Sequence, residues 1–340
     1  MILLIFLILG IGIAFLFYGA KFIISSLEII AKKLGVSQVL IGLTVLAIGT
    51  SFPDIAISVI GAIDKLSIID NGIDDIVIGH VIGAVFIQIT FMLGLIGLSQ
   101  DLYISSWELK REGTMMFVSL FIFFVFGFDG ILTRIEGLIM ITVYFCYILY
   151  TIKSDKKRLK IEAQIRKFIA ERDGIEIARK KSHKKKQEIN VKKNLIILVV
   201  GFIFLLIGAE ITILCAINIA IFFQIPSLIV GIFIVGIGTT LPEMFSEMTA
   251  LKRKDNGIAA GVLFGSNICA VLLATGIGVI ISEFKMEPII IFFDLPLLFF
   301  GLAIACLFLT LNNTLKNWES VLLIFFFGFY AILKIIYFQI

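Results

Sequence analysis

The chain has 340 residues, 60% of them hydrophobic, with a mean hydropathy of +1.10 and a formal net charge of +4. Its 29 basic and 25 acidic residues gather between long apolar runs instead of spreading along the sequence. That pattern excludes a soluble globular domain and predicts an all-α polytopic membrane protein.

Apolar runs of about 20 residues, the length that crosses a bilayer, fall near 2–22, 37–63, 74–99, 115–132, 135–152, 195–219, 226–250, 257–282, 289–311 and 318–338. About ten transmembrane helices are expected, five on each side of one charged loop. The first run has no basic leader and no small-residue cleavage site, so it is expected to be a retained helix. Residues 1–152 then form a first five-helix repeat, 153–193 a basic loop and 194–340 a second repeat. The loop carries 16 of the 29 Lys and Arg residues, which the positive-inside rule assigns to the cytoplasm. Lys32 and Lys33, Lys110 and Arg111, and Lys252-Arg253-Lys254 fall on the same side; the acidic stretch from Asp64 to Asp75 and both termini fall outside.

Within the loop, Ile161, Ile165, Phe168 and Ile169 recur at helical spacing, which permits an amphipathic helix on a membrane surface. The apolar face is short, so a solvated linker that sets topology is the preferred reading. Topology already accounts for the basic residues, and no nucleic-acid partner is expected. Cys146, Cys215, Cys269 and Cys306 lie inside apolar runs at no metal or redox spacing and read as small core residues.

Two stretches nearly repeat each other. Gly42-Leu-Thr-Val-Leu-Ala-Ile-Gly-Thr-Ser-Phe-Pro-Asp54 and Gly231-Ile-Phe-Ile-Val-Gly-Ile-Gly-Thr-Thr-Leu-Pro-Glu243 lie 189 positions apart, as do Gly19-Ala20 and Gly208-Ala209. A later echo, Gly79, Gly83 and Gly94 against Gly261, Gly265 and Gly276, has an offset of 182. An odd number of spans per copy makes the second copy enter the membrane from the opposite side. The repeats are therefore inverted, the arrangement from which transporters build a midplane site and alternating access.

The repeated words carry ion chemistry. Pro53 and Pro242 each remove a backbone donor inside an apolar helix and so free carbonyl oxygens. Thr50, Ser51, Thr239 and Thr240 add hydroxyls, and Asp54 and Glu243 add charge. Such an all-oxygen cage suits hard cations such as Na⁺, Ca²⁺ or Mg²⁺, not soft metals that call for Cys or His. A carboxylate at the membrane centre costs about 3 kcal/mol on insertion scales, so a pair of them needs a cation or protons. The competing reading, protonated carboxylates in merely kinked helices, is weaker for two inverted copies than for one.

These residues resemble the cation/calcium antiporters, most closely the sodium/calcium exchanger branch. Gly49-Thr50-Ser51-Phe52-Pro53-Asp54 and Gly238-Thr239-Thr240-Leu241-Pro242-Glu243 are similar to that family's paired alpha repeats, and Gly265-Ser266-Asn267-Ile268 to their second stretch. The resemblance implies a four-helix core carrying the repeats, with the first and sixth spans sliding across it. It also implies ion sites lined by Thr50, Ser51, Asp54, Thr239, Thr240, Glu243 and Ser266, with carbonyls around Ala47 and Gly236.

The departures bear on which ions bind. Ala84 and Ala270 stand where the family has polar side chains, Gln88 keeps an amide oxygen on a longer arm, and Asp54 replaces the usual Glu. Fewer oxygens weaken monovalent sites first. Glu247, one helical turn beyond Glu243, either adds a charge near the site or pairs with Lys252 or a neighbouring hydroxyl. His80 either couples protons or is a hydrogen-bonded structural histidine, the commoner case. Glu210 and its repeat partner Lys21 read as charges reaching for an interface or polar cavity.

No nucleotide-binding loop is visible, so neither an enzyme nor an ATP-driven pump is expected, and no cofactor is called for. The expectation is a secondary antiporter in the cell membrane, exporting Ca²⁺ against Na⁺ entry. An H⁺/divalent cation exchanger is the alternative within transport; a cation channel or a transport-inactive scaffold is the alternative outside it.

Overall fold

The computed structural model describes residues 2–33, 47–67, 72–99, 102–172, 191–252 and 256–339. Ten spans succeed one another along the chain. The first repeat has α1 (Ile2–Lys33), α2 (Ala47–Thr50, then Phe52–Ser67), α3 (Ile73–Ser99), α4 (Ser106–Gly127) and α5 (Arg134–Arg172). The second has α6 (Val191–Phe223), α7 (Ser227–Lys252), α8 (Asn256–Ile268 continued to Ile281), α9 (Ile290–Asn312) and α10 (Asn317–Gln339). Eight of these, all but α2 and α4, are long and apolar enough to cross a membrane by themselves. The opening of the second predicted run, 37–46, lies outside the described residues.

Several boundaries differ from the sequence reading, among them the end of α1 at Lys33 instead of near 22 and the end of α4 at Gly127 instead of near 132. Helix α4 starts at Ser106 and not near 115, because Ser105 and Glu108 form a capping box. The Ser105 hydroxyl accepts from the Glu108 N–H at 3.3 Å, and the Glu108 carboxylate accepts from the Ser105 N–H at 3.2 Å. Apolarity marks where a helix enters the bilayer, and capping marks where it begins. Helix α5 runs on to Arg172, so the span continues as helix into the predicted loop. The side chains of Ile161, Ile165, Phe168 and Ile169 lie outside what is described, as do residues 173–190.

The connections gather at two ends. At one, Ile131 and Leu132 pair antiparallel with Lys285 and Phe284, while the Lys65 ammonium donates to Asp74 at 2.6 Å and to the Glu283 carbonyl at 2.6 Å. At the other, the Ile104 N–H donates to the Asn313 carbonyl at 2.9 Å, and the Ser106 hydroxyl donates to the Asn313 side chain at 2.8 Å.

The core is built crosswise. Helices α3 and α7 meet so closely that a Cβ on Gly83 would lie 2.1 Å from the Ile232 carbonyl oxygen, a contact open only to glycine. Helix α10 of the second repeat lies on α3 of the first, where a Cβ on Gly94 would meet the Ser320 carbonyl at 2.6 Å. Its inverted counterpart is α5 on α8, where a Cβ on Gly276 would meet the Gly137 carbonyl at 2.9 Å. Each repeat thus covers the other's core helix, while α1 and α6 pack on each other along the flank.

Candidate ion site

The duplicated words come together in the middle of this crossing. Thr50, Ser51, Asp54, Thr239, Thr240, Glu243 and Ser266 are all fully buried, and Glu247 is 1% exposed. Helix α2 pauses at Ser51 and resumes at Phe52, and the missing N–H of Pro53 leaves the Gly49 carbonyl without its helical donor. In α7 the helix runs through Pro242, which does the same for the Gly238 carbonyl.

Four of the spans also contain π-helical turns. In α3 the turn covers Ile87–Met92, and the Leu93 N–H reaches back five residues to the Gln88 carbonyl. In α8 it covers Cys269–Ala274, and Thr275 reaches to Ala270. These two turns keep the repeat offset of 182 positions, so the bulge is itself duplicated. A third covers Val230–Val235 in α7, directly before Gly236; its counterpart in the first repeat lies outside the described residues. A fourth opens α9 at Ile290–Asp294. Single π turns inserted in α-helices loosen the carbonyl ladder and recur at functional sites.

Of the site's hydroxyls, Ser51 ties α2 to α8, while Thr239 and Thr240 bond back within α7. Ser51 donates to the Ser266 carbonyl at 3.3 Å, Thr239 to the Gly236 carbonyl at 3.2 Å and Thr240 to the Ile237 carbonyl at 3.0 Å. Asp54, Glu243 and Glu247 together bury six carboxylate oxygens that have no hydrogen-bond partner among the described residues. Glu243 lies within electrostatic range of both Asp54 and Glu247. Among the described residues no three Asp, Glu, His or Cys side chains converge as a metal-ligand group. Hydroxyl and backbone oxygens would therefore complete a cation's shell around the carboxylates.

Gln88 is directed differently from a free ligand. Its carbonyl oxygen accepts from the Asn267 amide at 2.7 Å and lies 2.9 Å from the Ser266 hydroxyl. The Asn267 amide nitrogen is itself fixed by the Leu263 carbonyl at 2.5 Å. A donor so fixed must face an oxygen, which sets the orientation of the Gln88 amide. Gln88 thus fastens α3 to α8, and its amide nitrogen is the end left without a partner. Asn267, quoted only as part of a motif in the sequence reading, is the fastening residue on the other side.

His80 is fully buried, with its Nε2 3.9 Å from Asp54 Oδ1. Neither ring nitrogen makes a hydrogen bond of standard geometry among the described residues, though the backbone of Val77, Ile76 and Asp54 lies within interaction range of the ring. The side chain of Ala47 lies outside the described set; its backbone opens α2. Ala84 and Ala270 are buried and contribute no side-chain oxygen. Lys21 is exposed on α1 and Glu210 half-buried on α6.

Residues 4–153 and 193–336 match the model of the sodium/calcium exchanger protein family. The chain belongs to that family. It is 29% identical over 349 aligned positions to the sodium/calcium exchanger MaX1 of Methanosarcina acetivorans, covering 95% of this chain and 96% of that one. It is 23% identical to the inner membrane protein YrbG of Escherichia coli, covering 83% of this chain and 81% of that one. A solved structure of the sodium-calcium exchanger NCX_Mj, soaked with 10 mM Na⁺ and no Ca²⁺, superposes with a TM-score of 0.62 at 25% identity over 97% of this chain and 98% of that one. The inverted-repeat fold and the cation antiporter function of this exchanger follow from that membership.

Proposed function

We propose that Asp54 and Glu243 form the charged centre of a site that holds either Ca²⁺ or Na⁺, and that the exchanger moves Ca²⁺ out of the cytoplasm as Na⁺ enters. The observation that carries this reading is the pair of buried carboxylates, one from each inverted repeat, whose oxygens have no protein donor among the described residues. One carboxylate pair cannot hold both loads at once. A doubly charged bare site in a low-dielectric environment resists reorientation, which makes exchange obligatory. Thr50, Ser51, Thr239, Thr240 and Ser266 supply neutral oxygens, with backbone carbonyls from the Ala47 and Gly236 turns. Glu247 adds a third charge one helical turn away. The excess of Lys and Arg in residues 153–193 supports a cytoplasmic loop and external termini in the cell membrane.

Proteoliposomes test this. An imposed Na⁺ gradient should drive radiolabelled Ca²⁺ uptake, and Asp54→Asn with Glu243→Gln should reduce it to background. Unchanged flux in the double variant refutes the assignment.

A second reading changes the coupling ion to H⁺. It is favoured by the thinned oxygen set, since Ala84 and Ala270 offer none and the Gln88 oxygen is engaged by Asn267. Uptake driven by a pH gradient in Na⁺-free buffer distinguishes it from Na⁺ coupling.

A further inference from the structure

Outside the ion site, the two repeats share a second buried polar element. Glu112 on α4 accepts a hydrogen bond from Tyr147 on α5. Asp294 on α9 accepts one from Tyr330 on α10 at 2.9 Å. Glu112 and Asp294 are 182 positions apart, and Tyr147 and Tyr330 are 183 apart, so one pair is the inverted copy of the other. What surrounds the two pairs is not copied. In the second repeat the places of Lys110 and Arg111 are taken by Phe292 and Phe293, and Phe293 stacks on Tyr330 and Tyr337, filling the space between α9 and α10. In the first repeat that space is an outward-facing groove of about 550 Å³ between α4 and α5.

The groove is amphipathic along its length. Lys110, Arg111, Val118, Val143 and Cys146 line it, with Lys110 exposed and the Arg111 side chain only 7% exposed. Arg111 is held in place: its Nε donates to Glu112 at 2.7 Å and its guanidinium lies 4.3 Å from the centre of the Trp107 ring. Glu112 balances the charge of Arg111. Lys110 is exposed, and no acidic side chain among the described residues pairs with it. The groove therefore presents the exposed ammonium of Lys110 beside an apolar lining.

We propose that this groove binds an anionic phospholipid, with the headgroup phosphate at the exposed Lys110 and one acyl chain lying between α4 and α5. Charge complementarity selects the occupant: an anionic headgroup compensates Lys110, whereas a zwitterionic lipid leaves it uncompensated. One face of Trp107 is already occupied by the Arg111 guanidinium. Lys110 lies on the side that the positive-inside rule assigns to the cytoplasm, the leaflet face where anionic lipids attract basic segments. The proposal is independent of which ions are exchanged.

Cys146 on the groove wall is exposed and gives a direct readout. The full-length protein, purified in detergent, is treated with a maleimide in mixed micelles containing either phosphatidylglycerol or phosphatidylcholine, and modification of Cys146 is followed by peptide mass spectrometry. Phosphatidylglycerol should slow the modification about fivefold more than phosphatidylcholine, the factor expected for one basic residue acting on an anionic headgroup. Lys110→Glu should bring the two rates together, while Cys215 and Cys269, both buried, stay unmodified throughout. Equal protection by the two lipids in the wild-type protein overturns the proposal, as does a phosphatidylglycerol preference that survives in Lys110→Glu.

Discussion

The outer carboxylate–tyrosine pairs of the two repeats began as one element and now differ in where their cation comes from. In the second repeat Lys334 of α10 lies inside the protein, fully buried, with its ammonium 2.5 Å from Asp294 and the Phe293 and Phe338 rings 5.8 and 5.3 Å away. In the first, Thr151 stands at the place of Lys334, and the cation is Arg111 from the same helix as the carboxylate. What both copies keep is the tie between neighbouring spans, which marks it as a requirement of the fold. The feature that differs is access. The second copy is sealed by aromatic rings, and the first opens into the groove lined by Lys110 and Arg111.

That contrast sets an order of expected effects. Lys334→Met should do the most damage, because it leaves Asp294 buried with no counter-charge; a loss of about 3 to 5 kcal/mol is expected. Denaturant or thermal unfolding of the purified protein measures it, and the double variant Asp294→Asn with Lys334→Met should recover most of the loss. A single variant as stable as the wild type breaks the picture of a sealed ion pair. Glu112→Gln should cost less, about 2 kcal/mol, because the amide keeps a carbonyl oxygen that can still accept from Tyr147 and Arg111. If Glu112→Gln proves the more damaging change, the first copy is the sealed one. The smallest effect tests the shared part: Tyr147→Phe and Tyr330→Phe should each cost about 1 kcal/mol. Clearly unequal losses would mean that the two hydroxyls do not play the same role.

Much of this architecture was legible because apolar run length and repeat offset are properties of sequence. The ten spans, the inversion and the burial of Asp54, Glu243 and the flanking hydroxyls all followed from spacing. What was not legible depends on backbone register and cross-helix geometry. The π-helical turns at Ile87–Met92 and Cys269–Ala274 leave no compositional trace, because their residues are as apolar as those of any spanning helix. Gln88 reads as a ligand on chemistry alone; only the position of Asn267 opposite it shows where its oxygen points. The outer pairs did leave a signal. Asp294 and Lys334 are single charges inside apolar runs, which is costly enough to imply a partner, and Glu112 repeats Asp294 at the same offset as the glycines. The start of α4 was also readable, in the Ser-x-x-Glu word at Ser105 to Glu108.

The crosswise packing of the repeats has a consequence for how the molecule is made. Helix α10 is synthesised long after α3, and it is the one that covers α3, where Tyr330 stacks on Phe86 at 3.9 Å immediately before the turn that carries Gln88. During translation the first repeat therefore waits in the bilayer with that face of α3 against lipid or a chaperone. The two halves of the chain cannot mature in sequence as separate modules; that face of α3 is covered only after α10 has been made.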